Sequence, residues 1–130
     1  MKKIISILIV FLFIIMFFCL AKIYQNPFKK TDFKYANSII IEILPPNEKV
    51  VISDNLQVAK IINYLESLRL KQEEPKNVSG LTYRIYINDE NNYLCSIAGD
   101  QLIYKDKIYH ISYSKVREFE SNIKFNKNEK

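Results

Sequence analysis

The sequence predicts an α+β protein. It reads as an N-terminal transmembrane helix followed by a two-layer domain, an antiparallel sheet with helices on one face, in the order ββαββββα. Three observations carry this. Ile4–Ala21 is an unbroken apolar run of 18 residues. Residues 55–71 repeat apolar positions at spacings of three and four, and residues 81–113 alternate at a spacing of two. The chain has 130 residues, so one modest core fits after the apolar run. With 2 Gly, 4 Pro and 2 Cys, the composition excludes collagen, low-complexity disorder and a disulfide-stapled miniprotein. The length excludes a multidomain enzyme.

The first element is residues 1–21. Eighteen helical residues span about 27 Å at ~1.5 Å each, close to the ~30 Å of a bilayer's hydrocarbon. Cleaved signal peptides have apolar runs of about 7–15 residues and a small-x-small cleavage site. Cys19-Leu20-Ala21 matches that site only marginally, so an uncleaved signal anchor is expected, with secretion after cleavage as the alternative. A buried core helix is excluded because no side of the run is polar. The Met1-Lys2-Lys3 start resembles an export signal and places the domain outside the cytoplasm, although four Lys follow the run and count the other way.

Residues 22–35 (KIYQNPFKKTDFKY) show no period and read as a juxtamembrane linker whose Lys and aromatic residues suit the bilayer interface. The domain then occupies residues 36–125. Ser38–Leu44 and Lys49–Ile52 are β-rich and flank Pro45-Pro46-Asn47, which makes a hairpin. Ser53-Asp54 can cap a helix over Asn55–Lys71, with Gln57 completing a capping box. Two apolar rows run along it: Leu56, Ala59 and Ile62, and Val58, Ile61, Leu65 and Leu68. Gln72-Glu73-Glu74-Pro75 ends it. Four short strands follow, centred on Tyr83–Ile87, Tyr93–Ile97, Gln101–Tyr104 and Ile108–Tyr113, and read as a meander. Ser114 can cap a last helix with Val116, Phe119 and Ile123 on one side. Residues 126–130 read as a disordered tail.

The formal charge of +5 does not sit on the domain. Residues 36–125 hold 11 basic and 12 acidic residues, and the surplus flanks the apolar run. Nucleic-acid binding needs a basic face on the folded unit and is not expected.

Chemistry-bearing residues are sparse. His110 is the single His and Cys95 the single Cys after the apolar run. A Cys–His hydrolase would need both to meet a carboxylate such as Asp100, and no nucleophile signature surrounds Cys95. A structural zinc site needs about four Cys or His ligands, so no metal site is expected. Gly80 and Gly99 stand apart, which offers no phosphate cradle and no cofactor site. Asp89-Glu90 and Asp100 sit in turns, where such residues usually serve the backbone. Six of nine Tyr fall in the meander, where Tyr is a favourable strand residue and also a good contact surface. The side of the meander that alternates away from the core carries Thr82, Arg84 and Tyr86 as candidate binding residues.

Taken together, the Met-Lys-Lys start, SIIIEIL, the helix LQVAKIINYLESL and the strands LTYRIYI, YLCSI, QLIY and KIYHISY carry a resemblance. The chain resembles small membrane-anchored or lipoprotein-like extracytoplasmic domains of unknown function from Gram-positive bacteria. The Lys-, Ile- and Asn-rich usage also looks bacterial. None of these segments is a catalytic motif. Met16-Phe17-Phe18 precede Cys19 where a lipobox carries a small residue, so the lipidation of such proteins is not implied. The expectation is a membrane-tethered, non-enzymatic module held in the bilayer by residues 4–21 and contacting a protein, a peptide or the envelope. An immunity-type inhibitor of a toxin or envelope enzyme is the alternative, and a Cys95/His110 hydrolase the lesser one.

Overall fold

The computed structural model describes residues 1–128, without the side chains of residues 21–23, 30 and 125–128. The elements are α1 (Lys2–Ile23), β1 (Tyr24–Gln25), a 3-10 helix (Pro27–Lys30), β2 (Ile39–Leu44), β3 (Glu48–Ile52) and α2 (Asn55–Ser67). β4 (Leu70–Gln72), β5 (Thr82–Ile87), β6 (Tyr93–Ala98), β7 (Gln101–Tyr104), β8 (Lys107–His110) and α3 (Tyr113–Asn128) follow. The eight strands form one sheet, ordered β1-β4-β8-β7-β6-β5-β2-β3, with antiparallel neighbours throughout. The α+β class, the hairpin and the four-strand meander are as the sequence predicts.

Strand alternation separates the two faces. Ile39, Ile41, Ile43, Tyr83, Ile85, Ile87, Cys95, Ile97, Leu102 and Tyr109 are buried on one face. Helix α2 covers it with Val58, Ile61, Tyr64 and Leu65, and α3 with Val116, Phe119 and Ile123. The Phe119 ring stacks at 5.8 Å on Tyr64 and meets Tyr83 edge-on at 5.4 Å, which locks α3 to both α2 and the sheet. Of the two predicted apolar rows on α2, the one through Val58 and Ile61 is buried. Leu56 is exposed, because a helix lying on a flat sheet presents only one stripe to it. Among the described residues, no helix lies on the other sheet face.

Helix starts follow local chemistry. The Asp54 carboxylate accepts the backbone N–H groups of Leu56 and Gln57 at the start of α2. The corresponding role in α3 falls to Ser112 rather than Ser114: its carbonyl and hydroxyl accept N–H groups from the first turn. That helix continues to Asn128, so residues 126–128 are helical where a disordered tail was expected, and 129–130 lie outside the described residues.

Two expectations are corrected where distant contacts override local pattern. The helix read over Asn55–Lys71 ends at Ser67. Leu68 turns extended, and Leu70–Gln72 becomes a strand between β1 and β8. Second, residues 22–35 are not a free linker. Tyr24 and Gln25 pair with Lys71 and Leu70. Phe28 is 0% exposed, against Tyr104 at 4.8 Å. Asn26 joins the two corrections: its Nδ2 donates to the carbonyls of Leu65, Glu66 and Leu68 at 2.7–3.0 Å, closing the C-terminus of α2 from outside. Its Oδ1 accepts the N–H groups of Phe28 and Lys29 and starts the 3-10 helix.

Helix α1 buries none of Lys2–Leu20 against the domain. Ile4–Leu20 are all exposed, and Lys2–Leu20 has the length and composition to cross a membrane or serve as a signal sequence.

Candidate functional site

The three residues singled out in the sequence stand together on the sheet face opposite the core, a face that buries Ser96 and Gln101 without a helix over it. Thr82, Arg84 and Tyr86 alternate along β5, and the register sets Leu44, Glu42 and Ile40 of β2 beside them. Glu42 ties the group together: the Tyr86 hydroxyl donates to it at 3.1 Å, and the Arg84 guanidinium lies 3.8 Å from its other oxygen. Burial and the bond to Glu42 push the Tyr86 phenol up from its ordinary 10, so it stays a donor at neutral pH.

On the β6 side a register shift leaves Leu94 without a partner and sets Tyr86 opposite Tyr93. The two rings meet edge-on at 5.7 Å. Beyond β2, Val51 is exposed, and Lys49 forms an ion pair with Glu90 from the β5–β6 turn. The face is thus a half-exposed array of aromatic rings, one arginine and one carboxylate. Such an array can stack, donate and accept at once, as contact surfaces rich in Tyr and Arg do. Sequence alternation finds Thr82, Arg84 and Tyr86. It misses Glu42 and Tyr93, because their place depends on strand pairing.

The Cys–His arrangement is not assembled, which corrects that reading. Cys95 pairs with Ile85 on the core face, is 0% exposed, and burial pushes its thiol far up. His110 pairs with Gln101, one position out of phase with the core pair Leu102–Tyr109, so it lies on the opposite face.

His110 instead meets carboxylates. Its Nδ1 is 3.6 Å from Asp100 and 3.9 Å from Glu73, and the three groups offer ligand atoms all within 4.8 Å of one another. The sequence points to His110 and Asp100 together only as parts of a Cys–His site, and it misses Glu73, which is brought in just past the unpredicted strand β4. The Lys76 ammonium occupies the same cluster, 2.8 Å from Asp100 and 3.7 Å from Glu73, and supplies the positive charge a cation would bring. The bond from Lys76 holds the Asp100 carboxyl below its ordinary 3.8, and Asp100 holds Lys76 above 10.5.

No family model, curated protein or solved structure matches the chain.

The direction of both shifts fixes a pH window for the Lys76–Asp100 tie. Asp100 is more acidic when folded, so its contribution is present above pH 3.8 and fades as pH falls further. Lys76 is more basic when folded, so its contribution is full below 10.5 and fades as pH rises beyond it. Asp100→Asn is expected to lower the urea midpoint modestly near neutral pH, with the gap to wild type closing below pH 3.8. A gap that persists unchanged into acid would show the tie contributes nothing.

Proposed function

We propose that this protein is a membrane-tethered, non-enzymatic module whose domain stands outside the cytoplasm. It binds a protein or peptide partner through the open sheet face. The observation that carries this reading is the contrast between the two faces. One buries the whole core under α2, α3 and the 3-10 helix, and the other displays Arg84, Tyr86, Glu42 and Tyr93 with no helix over them. Tyr and Arg recur at the centres of protein interfaces because they combine large contact area with a directed polar group. The exposed apolar surface of Ile4–Leu20 supports residence in a bilayer. Anchoring raises the effective concentration for partners in the same membrane.

The test is photo-cross-linking in intact cells, with p-benzoylphenylalanine replacing Tyr86 in the full-length chain. A discrete adduct that disappears when Arg84→Glu is added supports the reading. Equal adducts at Tyr86 and at Lys60, which lies on exposed α2 surface, would overturn it. A captured toxin or envelope enzyme would mark the module as an inhibitor.

A further inference from the structure

We propose that a cavity on the helix-covered side of the sheet, between the 3-10 helix and the β7–β8 turn, binds a phosphate-bearing group supplied by the headgroup of an anionic phospholipid. The inference rests on the tethered reading of α1 and names a ligand for a second region, which shares only Tyr93 with the open face.

The cavity holds about 790 Å³ and opens to solvent. Gln25, Asn26 and Pro27 form one side of it. These residues are two to four positions past Ile23, the last residue of α1, within about 14 Å of contour at ~3.5 Å per residue. Asn26 is held to the end of α2 by its three carbonyl contacts, so this wall is fixed. A cavity walled by the first residues after α1 is tethered near the headgroups, where anionic lipid attracts cations most strongly.

The opposite wall is basic. Lys105 and Lys107 line it against one acid, Asp32, whose carboxylate accepts the Lys34 backbone N–H. Lys107 pairs with Tyr104 across the turn and so shares its face, and the Lys105 ammonium sits 5.4 Å from the Tyr104 ring. The Tyr104 hydroxyl is hydrogen-bonded to that of Thr31 at 2.8 Å. One proton is used between these two groups, and the other remains to donate to a ligand oxygen. Two ammonium groups beside a hydroxyl donor suit a phosphate diester. Leu94 adds an apolar side suited to the glycerol and upper acyl carbons, and Tyr93, whose ring also meets Tyr86, stands at the rim shared with the open face.

The turn itself bears on the assignment. Lys105 and Asp106 both have positive φ, 47° and 64°. Two-residue hairpin turns of this kind favour Asn-Gly, which adopt such angles with little strain. The hairpin requires these angles, and Lys105, which lines the cavity, adopts them at a cost that asparagine or glycine would not carry.

The test uses the full-length chain in nanodiscs. In discs containing phosphatidylglycerol, acylation of the Lys105 and Lys107 amines should slow severalfold, relative to Lys60 and Lys124, against discs of pure phosphatidylcholine. Native mass spectrometry should show retained phosphatidylglycerol. K105Q/K107Q should weaken that preference by about fivefold per lysine, while K60Q/K124Q keeps it. Equal labelling in both discs, or a preference indifferent to K105Q/K107Q, would overturn the site. Phosphatidylcholine discs with added glycerol phosphate are the third arm, and protection there as strong as from phosphatidylglycerol would overturn the lipid source. A chain that enters neither disc refutes the tether, whereas one that enters both without lipid preference refutes only the site.

Discussion

Phe28→Ala is expected to destabilise the folded domain by about 3–5 kcal/mol. The ring is 0% exposed and packs against Tyr104, itself nearly buried. Truncation leaves a cavity bounded by a sheet and a short helix, neither of which can collapse far. The loss compares with a total stability of about 5–15 kcal/mol for a typical domain. Chemical denaturation of the full-length chain in detergent, followed by near-ultraviolet circular dichroism of the tyrosines, measures it. A loss below about 1 kcal/mol would mean residues 24–30 are an appendage rather than part of the core. Phe28→Leu keeps most of the apolar volume and should recover much of the difference.

The second large effect is expected at Asn26. One amide group shares its two protons among three carbonyls at the end of α2 and accepts two N–H groups of the 3-10 helix. Asn26→Ala removes all five bonds. At roughly 1 kcal/mol each, discounted because the site is partly open to water, the cost is about 2–3 kcal/mol. Asn26→Asp is the sharper variant. It keeps the acceptor for Phe28 and Lys29 but faces three carbonyl oxygens with a carboxylate. It should cost at least as much as alanine near neutral pH, with some recovery in acid as the carboxyl protonates. Hydrogen exchange should show the loss concentrated in the last turn of α2 and in β4. If Asn26→Asp proves neutral, the amide donors contribute nothing.

These two residues also mark the boundary of what the sequence discloses. The meander is legible because Tyr83, Ile85 and Ile87 alternate with Thr82, Arg84 and Tyr86 over one uninterrupted stretch, and turn residues bracket it. The start of α2 is legible because Asp54 and its N–H partners are neighbours in the chain. Its end is not. Ile61, Leu65 and Leu68 keep a helical spacing up to and past Ser67, and the group that stops the helix lies about 40 residues earlier. β1 and β4 are two and three residues long, too short for any period to register. The candidate face divides in the same way. Thr82, Arg84 and Tyr86 come from alternation on one strand, while Glu42 and Tyr93 come from register between strands. The segregation of Cys95 from His110 likewise follows from pairing parity, which no inspection of a single strand supplies.

The position of β4 in the sheet sets an order of events during synthesis. β1 is the earliest strand to be made, and its one partner is β4. A ribbon of two and three residues is too small to persist by itself, and the other neighbour of β4 is β8. The junction therefore stays open until the ribosome has passed His110, by which time every other strand exists. The earliest of the described strands is thus among the last to be closed into the sheet, while the β2–β3 hairpin depends on nothing made after it.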